Sequence, residues 1–397
     1  MSPDYKTKPN MLFQKAAGSW YPAWAYHMQD YSPLPARIKN ITQSLTVTNN
    51  LYGNGLRIRL SNRHGASPLS VSDMEVRIRN SQYRLTAAGR EALFLAPGEE
   101  IPTDPVKIQV QPGDTIEVLL SFPGGQTVTS CCGFNSSLVG KVEFRQNRNT
   151  QIPGDALSAA VKRRFSSYVV LGICAIEITS GRRPEVLAVF GDSIVQQSQW
   201  YGALHRKLAR RLPGYTMYNE GVSGNRVLTD NHSSSSLNPI FGVAGVKRFD
   251  GDVFSRYQPD ITIIAEGIND LVHPGNGCPI NELVTAEDLI RGLDALSELA
   301  AARKSRPVLA TLTPFCGYDG IWSPEREAVR AMVNQWIRSR DCYIDIDACV
   351  RSSSDIKSLA PEYDSGDHLH LNAAAGERAA EEIFRTITRI RKRRAAI

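Results

Sequence analysis

VLAVFGDSI, residues 186–194, joins a predicted buried strand to a predicted helix through a short polar turn. Five apolar residues stop at Gly191, and an acid and a hydroxyl, Asp192 and Ser193, follow before a helical pattern begins. A short apolar run bounded by turn residues is typical of a strand buried on both faces, as in a parallel sheet. Taken alone, Ser193 could be a helix N-cap or an exposed nucleophile at the end of that strand.

Apolar runs alternate with helical patterns throughout the second half of the chain. The predicted strands are VLAVF, TMYNE, ITIIAEG, PVLATLTP and CYIDIDA, each followed by a helical or polar segment. This order predicts an α/β domain over residues 181–397, with a parallel sheet covered by helices on both faces. In such sheets, sites form at the carboxyl ends of the strands.

The first half of the chain has a different pattern, in which apolar and polar side chains alternate in short runs. The runs are QSLTVTNN, LRIRLSN, MEVRIRN and VKIQVQPGDTIEVLLSF. They predict an all-β sandwich or jelly-roll domain over residues 1–180, and QPGD, residues 111–114, is predicted to be a hairpin turn. Residues 147–166 are expected to be an irregular connection, and YVVLGICAIEI, residues 168–178, one more strand of this domain.

Composition and charge exclude several classes of protein. The 397 residues are 42% hydrophobic and 22% charged, with a net charge of +6. Part of the basic excess lies in RTITRIRKRRAAI, residues 385–397, which is typical of a solvated helix end, so no nucleic acid or membrane partner is predicted. The N-terminus lacks a signal-peptide h-region, so we expect a cytoplasmic protein, although a secreted protein without its signal peptide would look the same.

The seven cysteines are scattered, with no CxxC pair and no Cys/His array at metal-ligand spacing. This pattern favours a reducing compartment. Neither GNGL nor GNGC completes a phosphate-binding fingerprint, and no HExxH motif is present. We therefore expect neither a metal nor a cofactor.

Four polar, glycine-rich clusters lie at the ends of predicted strands of the second half. They are GDS (191–193), GVSGNR (221–226), INDLVHPG (268–275) and YDSGDHLHLNAAAGE (363–377). Each could be a simple turn, because turns favour Gly, Asn, Asp and Ser. Their joint placement at one edge of one sheet instead indicates a site.

These clusters contain the residue types that a serine hydrolase needs. Ser193 is the candidate nucleophile, His370 the candidate base, and Asp367 the carboxylate that orients the imidazole. The backbone N–H groups of Ser193 and Gly224 and the side-chain amide of Asn269 would form a three-donor oxyanion hole.

The four clusters resemble the sequence blocks of the SGNH, or GDSL-type, hydrolases. GDSI, GVSGN, GIND and DHLH occur in the order of that family, over roughly residues 184–385. The resemblance implies a flavodoxin-like hydrolase domain with Ser193, Gly224, Asn269 and His370 as the name-giving residues. The chain is also similar to a two-domain bacterial subgroup in which a β-sandwich precedes the hydrolase domain, and to some carbohydrate acetylesterases.

The expected function is a metal-independent serine esterase that removes short acyl groups, acetyl first of all, from a carbohydrate. Two alternatives remain open: an esterase or lipase acting on small-molecule or lipid esters, and an inactive glycan-binding protein. Within the site, His368 with Asp364 is the alternative to His370, which the DxxH spacing favours. GVSGN also differs from the GxSxG nucleophile elbow only at its fifth position, where Asn225 replaces glycine, and Ser223 would be the serine of that motif.

Three residues beside the blocks are candidates for substrate binding: Trp200, Arg226 and His273. The aromatic stretch GSWYPAWAYHMQDY, residues 18–31, suits sugar stacking, a domain core or the interface of a homo-oligomer. Sequence alone does not discriminate among these roles.

Overall fold

The computed structural model describes residues 19–146, 168–212, 214–231, 234 and 237–395. Up to residue 179 the described chain forms antiparallel strands in three sheets. The predicted connection over residues 147–166 lies outside the described residues. The strands are β1 (Trp20–Ala25), β2 (Gln29–Asp30), β3 (Ala36–Thr48), β4 (Gly53–Ser61), β5 (Leu69–Ile78), β6 (Ser81–Arg84), β7 (Leu93–Leu95), β8 (Glu100–Pro102), β9 (Val106–Val110), β10 (Thr115–Val128), β11 (Ser130–Phe134), β12 (Lys141–Gln146), β13 (Tyr168–Leu171) and β14 (Ile173–Thr179).

Two of these sheets contain most of the strands of the first half. One has the order β1-β14-β4-β8 with β9 also paired to β4, and the other the order β12-β3-β10-β5-β6 with β7 paired to β5. The alternating runs bury their apolar side chains, as in β10, where Ile116, Val118 and Leu120 are fully buried. The structure therefore confirms that the first half is an all-β domain.

The prediction of a hairpin at QPGD is wrong. The turn itself forms, because Asp114 N–H donates to Gln111 O at 3.1 Å and Gly113 has a φ of +92°. However, β9 pairs with β4 in one sheet, whereas β10 pairs with β3 and β5 in the other. A turn signal fixes the local reversal of the chain but not the partner of each strand, and this turn crosses between two sheets.

The second half is the predicted α/β domain, with five parallel strands in the order β16-β15-β17-β18-β19. Counted along the domain this is 2-1-3-4-5, the flavodoxin-like order, whose switch point lies at the first strand. The strands are β15 (Glu185–Gly191), β16 (Tyr215–Gly221), β17 (Ile261–Ala265), β18 (Arg306–Ala310) and β19 (Tyr343–Ile344). The helices are α1 (Ser193–Gln196), α2 (Gln199–Arg211), α3 (Gly245–Phe254), α4 (Ile268–Val272), α5 (Ala286–Ala302), α6 (Pro324–Arg338), α7 (Ile346–Val350) and α8 (Ala373–Ala395). Within the described ranges, no helix is long and apolar enough to cross a membrane.

The two halves are joined by hydrogen bonds as well as by packing. Tyr26, just after β1, forms a parallel bridge with Asn219 of β16, and the next residue, His27, donates its N–H to Asn219 O at 2.9 Å. The Tyr26 hydroxyl lies 2.8 Å from Ser198 Oγ, between α1 and α2. Trp24 and Tyr26 are both nearly inaccessible, so these aromatic residues form part of a core that runs through both halves.

Candidate active site

The turn after β15 brings Ser193 to the carboxyl edge of the parallel sheet. Gly191 is required there because a Cβ at this position would lie 2.2 Å from the carbonyl oxygen of Ala265 in the neighbouring strand. Asp192 caps the short helix α1, and its carboxylate accepts a hydrogen bond from Ile194 N–H at 2.9 Å. Burial raises the pKa of Asp192 to about 7 despite that hydrogen bond. Asp192 therefore shapes the turn on which Ser193 is presented.

The structure brings Ser193, His370 and Asp367 into one hydrogen-bonded series. Ser193 Oγ lies 2.8 Å from His370 Nε2, and His370 Nδ1 lies 2.5 Å from Asp367 Oδ2. The other carboxylate oxygen of Asp367 accepts the backbone N–H of His370 at 2.8 Å. Partial burial would raise the pKa of Asp367, but these hydrogen bonds and the adjacent imidazole hold it well below its ordinary value. The carboxylate is thus ionised and aimed at Nδ1, which leaves Nε2 to face the serine.

The alternative pair, His368 and Asp364, forms its own contact outside this series. The side chain of His368 is 56% exposed, and its Nδ1 lies 2.7 Å from Asp364 Oδ2. His368 has a φ of +66°, in the left-handed region of backbone conformation. In the described structure Ser193 is joined to His370.

Two further candidate residues, Gly224 and Asn269, lie where the loops after β16 and β17 meet. Gly224 has a φ of +74°, and a Cβ at this position would lie 2.2 Å from Phe241 Cδ1, so only glycine fits. Asn269 is buried and donates through Nδ2 to the carbonyl oxygen of Asn225 at 2.9 Å. That nitrogen carries a second N–H, and the Ser193 N–H is the first of helix α1, with no acceptor within the helix.

Asp270, next to Asn269, holds the loop that carries Gly224. Its two carboxylate oxygens accept the backbone N–H groups of Val227 and Leu228 at 2.8 and 3.1 Å. Burial raises the pKa of Asp270 to about 6, against the effect of these hydrogen bonds. The sequence pattern also allowed Asp270 to be a simple strand-ending residue, whereas in the fold it bridges two loops that are 43 residues apart.

Arg248 was not singled out from the sequence, yet it contacts two of the four strand-end clusters, GDS and GVSGNR. From α3, its guanidinium donates to Gly191 O and Glu220 O, each at 2.9 Å, and to Asn225 Oδ1 at 2.7 Å. It also stacks over the ring of Phe190, 4.0 Å from the centroid. In the sequence, VKRFD is typical of an amphipathic helix with charged residues on its surface. The burial of Arg248 follows from the packing of α3 against the sheet.

The three candidates for substrate binding are placed differently from one another. A substrate cannot reach Trp200, whose side chain is 0% exposed in the hydrophobic core. Arg226 is also buried, and it donates to Glu282 Oε2 and Asp230 O, each at 2.7 Å, so it holds loops together instead of facing a substrate. His273 is half-buried beside the Phe241 ring, with 5.2 Å between ring centroids, and burial together with Arg226 lowers its pKa to about 4. The prediction that Trp200 and Arg226 bind substrate is therefore wrong. Helix α2 and the Gly224 loop direct these two long side chains into the interior.

One described group of side chains has the composition of a metal site. The ligand atoms of His27, Glu220 and Asp252 all lie within 4.8 Å of one another. Three guanidinium groups already pair with these carboxylates: Arg63 and Arg248 with Asp252, and Arg256 with Glu220. Because the cationic positions around the carboxylates are filled by arginine, the donor set is a buried ion-pair network and does not fit a metal.

A serine, a histidine and an aspartate joined by hydrogen bonds at the carboxyl edge of a 2-1-3-4-5 sheet are the arrangement of a serine hydrolase. Residues 189–378 match the GDSL-like Lipase/Acylhydrolase family. This part of the chain is a GDSL-like acylhydrolase domain, and the protein is a carboxylic ester hydrolase.

Three solved structures that are similar to this chain each correspond to about half of it. A GDSL-like lipase from Bacteroides thetaiotaomicron is 17% identical, covers 53% of this chain and 92% of its own, and has a TM-score of 0.38. A carbohydrate acetylesterase from Sinorhizobium meliloti is 16% identical, with coverages of 52% and 99% and a TM-score of 0.40. A catalytic mutant of an acetylxylan esterase from Geobacillus stearothermophilus is 20% identical, with coverages of 51% and 94% and a TM-score of 0.40. None of the curated proteins matches the chain.

Proposed function

We propose that the protein is a serine esterase that hydrolyses short-chain esters, acetyl esters in particular, carried by a carbohydrate. The observation that carries the proposal is the hydrogen-bonded series from Ser193 through His370 to Asp367. An imidazole 2.8 Å from the hydroxyl can remove its proton, and a carboxylate 2.5 Å from the other ring nitrogen stabilises the imidazolium that results.

The reaction follows from these contacts. Ser193 Oγ attacks the ester carbonyl while His370 Nε2 takes the hydroxyl proton. The negative charge that develops on the carbonyl oxygen is held by Ser193 N–H, Gly224 N–H and the second N–H of Asn269. His370 returns the proton to the leaving alcohol, which leaves an acyl-serine. A water deprotonated by His370 then releases the acid and restores Ser193.

The space around the oxyanion donors supports a small acyl group. The Phe241 ring packs directly on Gly224, and His273 packs on the same ring, so two bulky side chains bound the space at this donor. Ser193 itself is only 7% exposed. An acetyl group needs little room beyond its carbonyl, whereas a long acyl chain needs an apolar channel leading away from Ser193.

The test is hydrolysis of p-nitrophenyl acetate, p-nitrophenyl octanoate and acetylated xylo-oligosaccharides by the purified full chain. We expect the acetyl substrates to be hydrolysed with a higher kcat/KM than the octanoate. The Ser193→Ala variant should lose at least about 1,000-fold of this activity. The matched control is Ser223→Ala, because Ser223 Oγ donates to Gln196 Oε1 at 2.9 Å and has no contact with His370.

Equal losses in both serine variants would contradict the assignment of the nucleophile. A preference for the octanoate would contradict the acetyl specificity and favour a lipase. Hydrolysis of simple acetates without any action on acetylated sugars would restrict the proposal to small-molecule esters.

A further inference from the structure

The carboxylate of Asp252, on helix α3, joins the two halves of the chain. Its Oδ1 accepts a hydrogen bond from Nη2 of Arg63 at 3.0 Å, and its Oδ2 accepts one from Nη1 of Arg248 at 3.2 Å. Arg63 follows strand β4 of the sandwich half, whereas Arg248 lies on α3 with Asp252. The Asp252 side chain is 1% exposed, so both contacts are made at a carboxylate that solvent scarcely reaches. One buried carboxylate therefore links an arginine of the sandwich to the arginine beside the candidate active site.

Arg248 holds two segments of that site with the same planar group that contacts Asp252. Its Nη2 donates to Gly191 O at 2.9 Å, and its Nε donates to Asn225 Oδ1 at 2.7 Å. Gly191 lies two residues before the serine, and Asn225 follows Gly224. Because a guanidinium presents its N–H groups in a rigid fork, a rotation at Nη1 also displaces Nη2 and Nε. The placement of Asp252 therefore affects the placement of both segments.

The loop that carries Arg63 is anchored on both sides of this residue. Before it, Asn62 donates through Nδ2 to Leu95 O at 3.0 Å. After it, the His64 N–H donates to Ser130 Oγ at 3.1 Å. The side chain of Arg63 is 37% exposed, and its guanidinium reaches the boundary between the halves from this anchored loop. The sandwich therefore offers the carboxylate a guanidinium whose backbone is held in place.

Loss of Arg63 would leave one oxygen of Asp252 without this hydrogen bond. The other described side-chain contacts of Asp252, from Arg248 at 3.2 Å and from His27 at 3.5 Å, are both made to Oδ2. Contacts at both oxygens fix the plane of a carboxylate, whereas contacts at one oxygen leave it freer to rotate. We propose that Arg63 is a positioning residue for ester cleavage, and that it acts through Asp252 and Arg248 on the segments that carry the nucleophile and the Gly224 N–H.

The experiment is steady-state hydrolysis of p-nitrophenyl acetate by the full chain and by its Arg63→Met variant. Methionine keeps most of the aliphatic stem and removes the guanidinium. We expect kcat to fall about 3- to 10-fold, because misplaced catalytic groups slow the chemical step. KM should change by less than about 2-fold, since no contact with the ester is lost. Arg63→Lys keeps a cation on a flexible stem and should retain at least about half of the wild-type kcat.

The matched control is Arg57→Met, on strand β4 of the same half. Arg57 Nε lies 2.5 Å from Glu177 Oε2, and Glu177 Oε1 accepts a hydrogen bond from Tyr257 of the hydrolase half at 2.8 Å. This arginine also binds a carboxylate that is 1% exposed and joins the two halves, and Arg59 remains as a second partner of that carboxylate. Arg57 has no described contact with Arg248, so Arg57→Met should leave kcat within about 2-fold of the wild type.

The path through Arg248 is tested in an Arg248→Lys background. Lysine keeps a cation beside Asp252 but lacks the fork that reaches Gly191 and Asn225 together. Adding Arg63→Met to this background should lower kcat by less than about 1.5-fold, because the route to the site is already cut. Thermal denaturation verifies that each variant is folded at the assay temperature. If Arg63→Met is not, Arg63→Gln replaces it.

An unchanged kcat in Arg63→Met overturns the inference, as does an equal loss in the Arg57 and Arg63 variants, which would reflect a loosened boundary between the halves. A loss in the Arg248→Lys background as large as in the wild type also overturns it. The inference rests on the proposed function, because that function assigns the nucleophile and the oxyanion donors. Ser193→Ala tests that assignment separately. An inactive Ser193→Ala with an unchanged Arg63→Met overturns this inference alone, whereas an active Ser193→Ala overturns the proposed function.

Discussion

Arg248 donates through Nη2 to the carbonyl oxygen of Gly191 at 2.9 Å, two residues before the serine of the site. The same guanidinium donates to the side chain of Asn225, the residue after Gly224. One buried cation therefore contacts both of the segments that carry the proposed oxyanion donors Ser193 and Gly224. Its counter-ion Asp252 contacts His27 and Arg63 of the sandwich, which extends this support into the first half of the chain.

Replacement of Arg248 by Met should lower kcat for p-nitrophenyl acetate by at least about 10-fold, with a smaller change in KM. The reason is that loss of the guanidinium frees the Gly191 and Asn225 segments, and small misplacements of catalytic groups are costly. The variant should also be less stable, by roughly 3–5 kcal/mol, because Asp252 loses a buried partner.

The control for this prediction is Arg256→Met. Arg256 pairs with the buried Glu220 at 2.9 Å but has no described contact with Gly191 or Asn225. Steady-state kinetics and thermal denaturation of both variants make the comparison. If kcat falls equally in the two, the loss reflects general destabilisation, and Arg248 has no specific positioning role.

Asn269→Ala should lower kcat for p-nitrophenyl acetate by about 100- to 1,000-fold and change KM little. The amide is proposed to bind the oxyanion only as charge develops, so its loss affects the transition state more than the bound ester. The measurement is steady-state kinetics, with circular dichroism to verify the fold. A rise in KM with kcat unchanged would place Asn269 in ground-state binding instead.

The raised pKa of Glu266 leads us to expect that the free energy of unfolding falls as the pH rises. Burial raises the pKa of Glu266 from 4.5 to about 8, although Arg248 is 3.5 Å away. The folded state therefore holds a proton that the unfolded state releases at lower pH. The resulting stabilisation is fully present below about pH 4.5 and is lost as the pH rises through about 8, with a slope of up to about 1.4 kcal/mol per pH unit.

The Glu266→Gln variant carries a neutral amide at every pH and should lose this part of the pH dependence. Melting temperatures measured between about pH 5 and pH 9 should show the variant gaining on the wild type as the pH rises. Glu298→Gln, on the exposed face of α5, provides the control, with a pH-independent difference. A constant offset between Glu266→Gln and the wild type would show that Glu266 is ionised in the folded protein.

The hydrolase half expressed alone, as residues 182–397, should not fold into a stable protein. Removal of the sandwich takes away the Tyr26–Asn219 bridge, the contact of Gln196 Nε2 with Gly133 O at 2.5 Å, and the apolar surface packed against them. Denaturant unfolding and p-nitrophenyl acetate hydrolysis check this expectation. A cooperative, active fragment would show that the sandwich is an independent appendage.

Much of the fold was predictable because it depends on local patterns. The period-two runs of the first half and the alternation of strands and helices in the second indicate how each segment buries its apolar side chains. The strand ends near Ser193, Gly224, Asn269 and His370 follow from the same patterns, because turn residues mark where each strand stops. The prediction of a hairpin at QPGD was wrong because a turn motif does not show which strand the next strand pairs with.

The burial and the contacts of individual side chains depend on the tertiary structure. Trp200 and Arg226 were reasonable cleft residues by their place in the sequence, but the packing of α2 and of the Gly224 loop buries both. Arg248 and Phe241 had no motif around them, and their contacts join segments that are separate in the sequence.

The class of each half and the residue types at one edge of the sheet could be predicted from short windows of sequence, because secondary structure and strand ends depend on local patterns. Two contacts of the site could be read only from the folded chain: Ser193 lies against His370 instead of His368, and Arg248 supports the turn before the serine. These are contacts between segments tens to hundreds of residues apart, and their geometry depends on the packing of the whole chain.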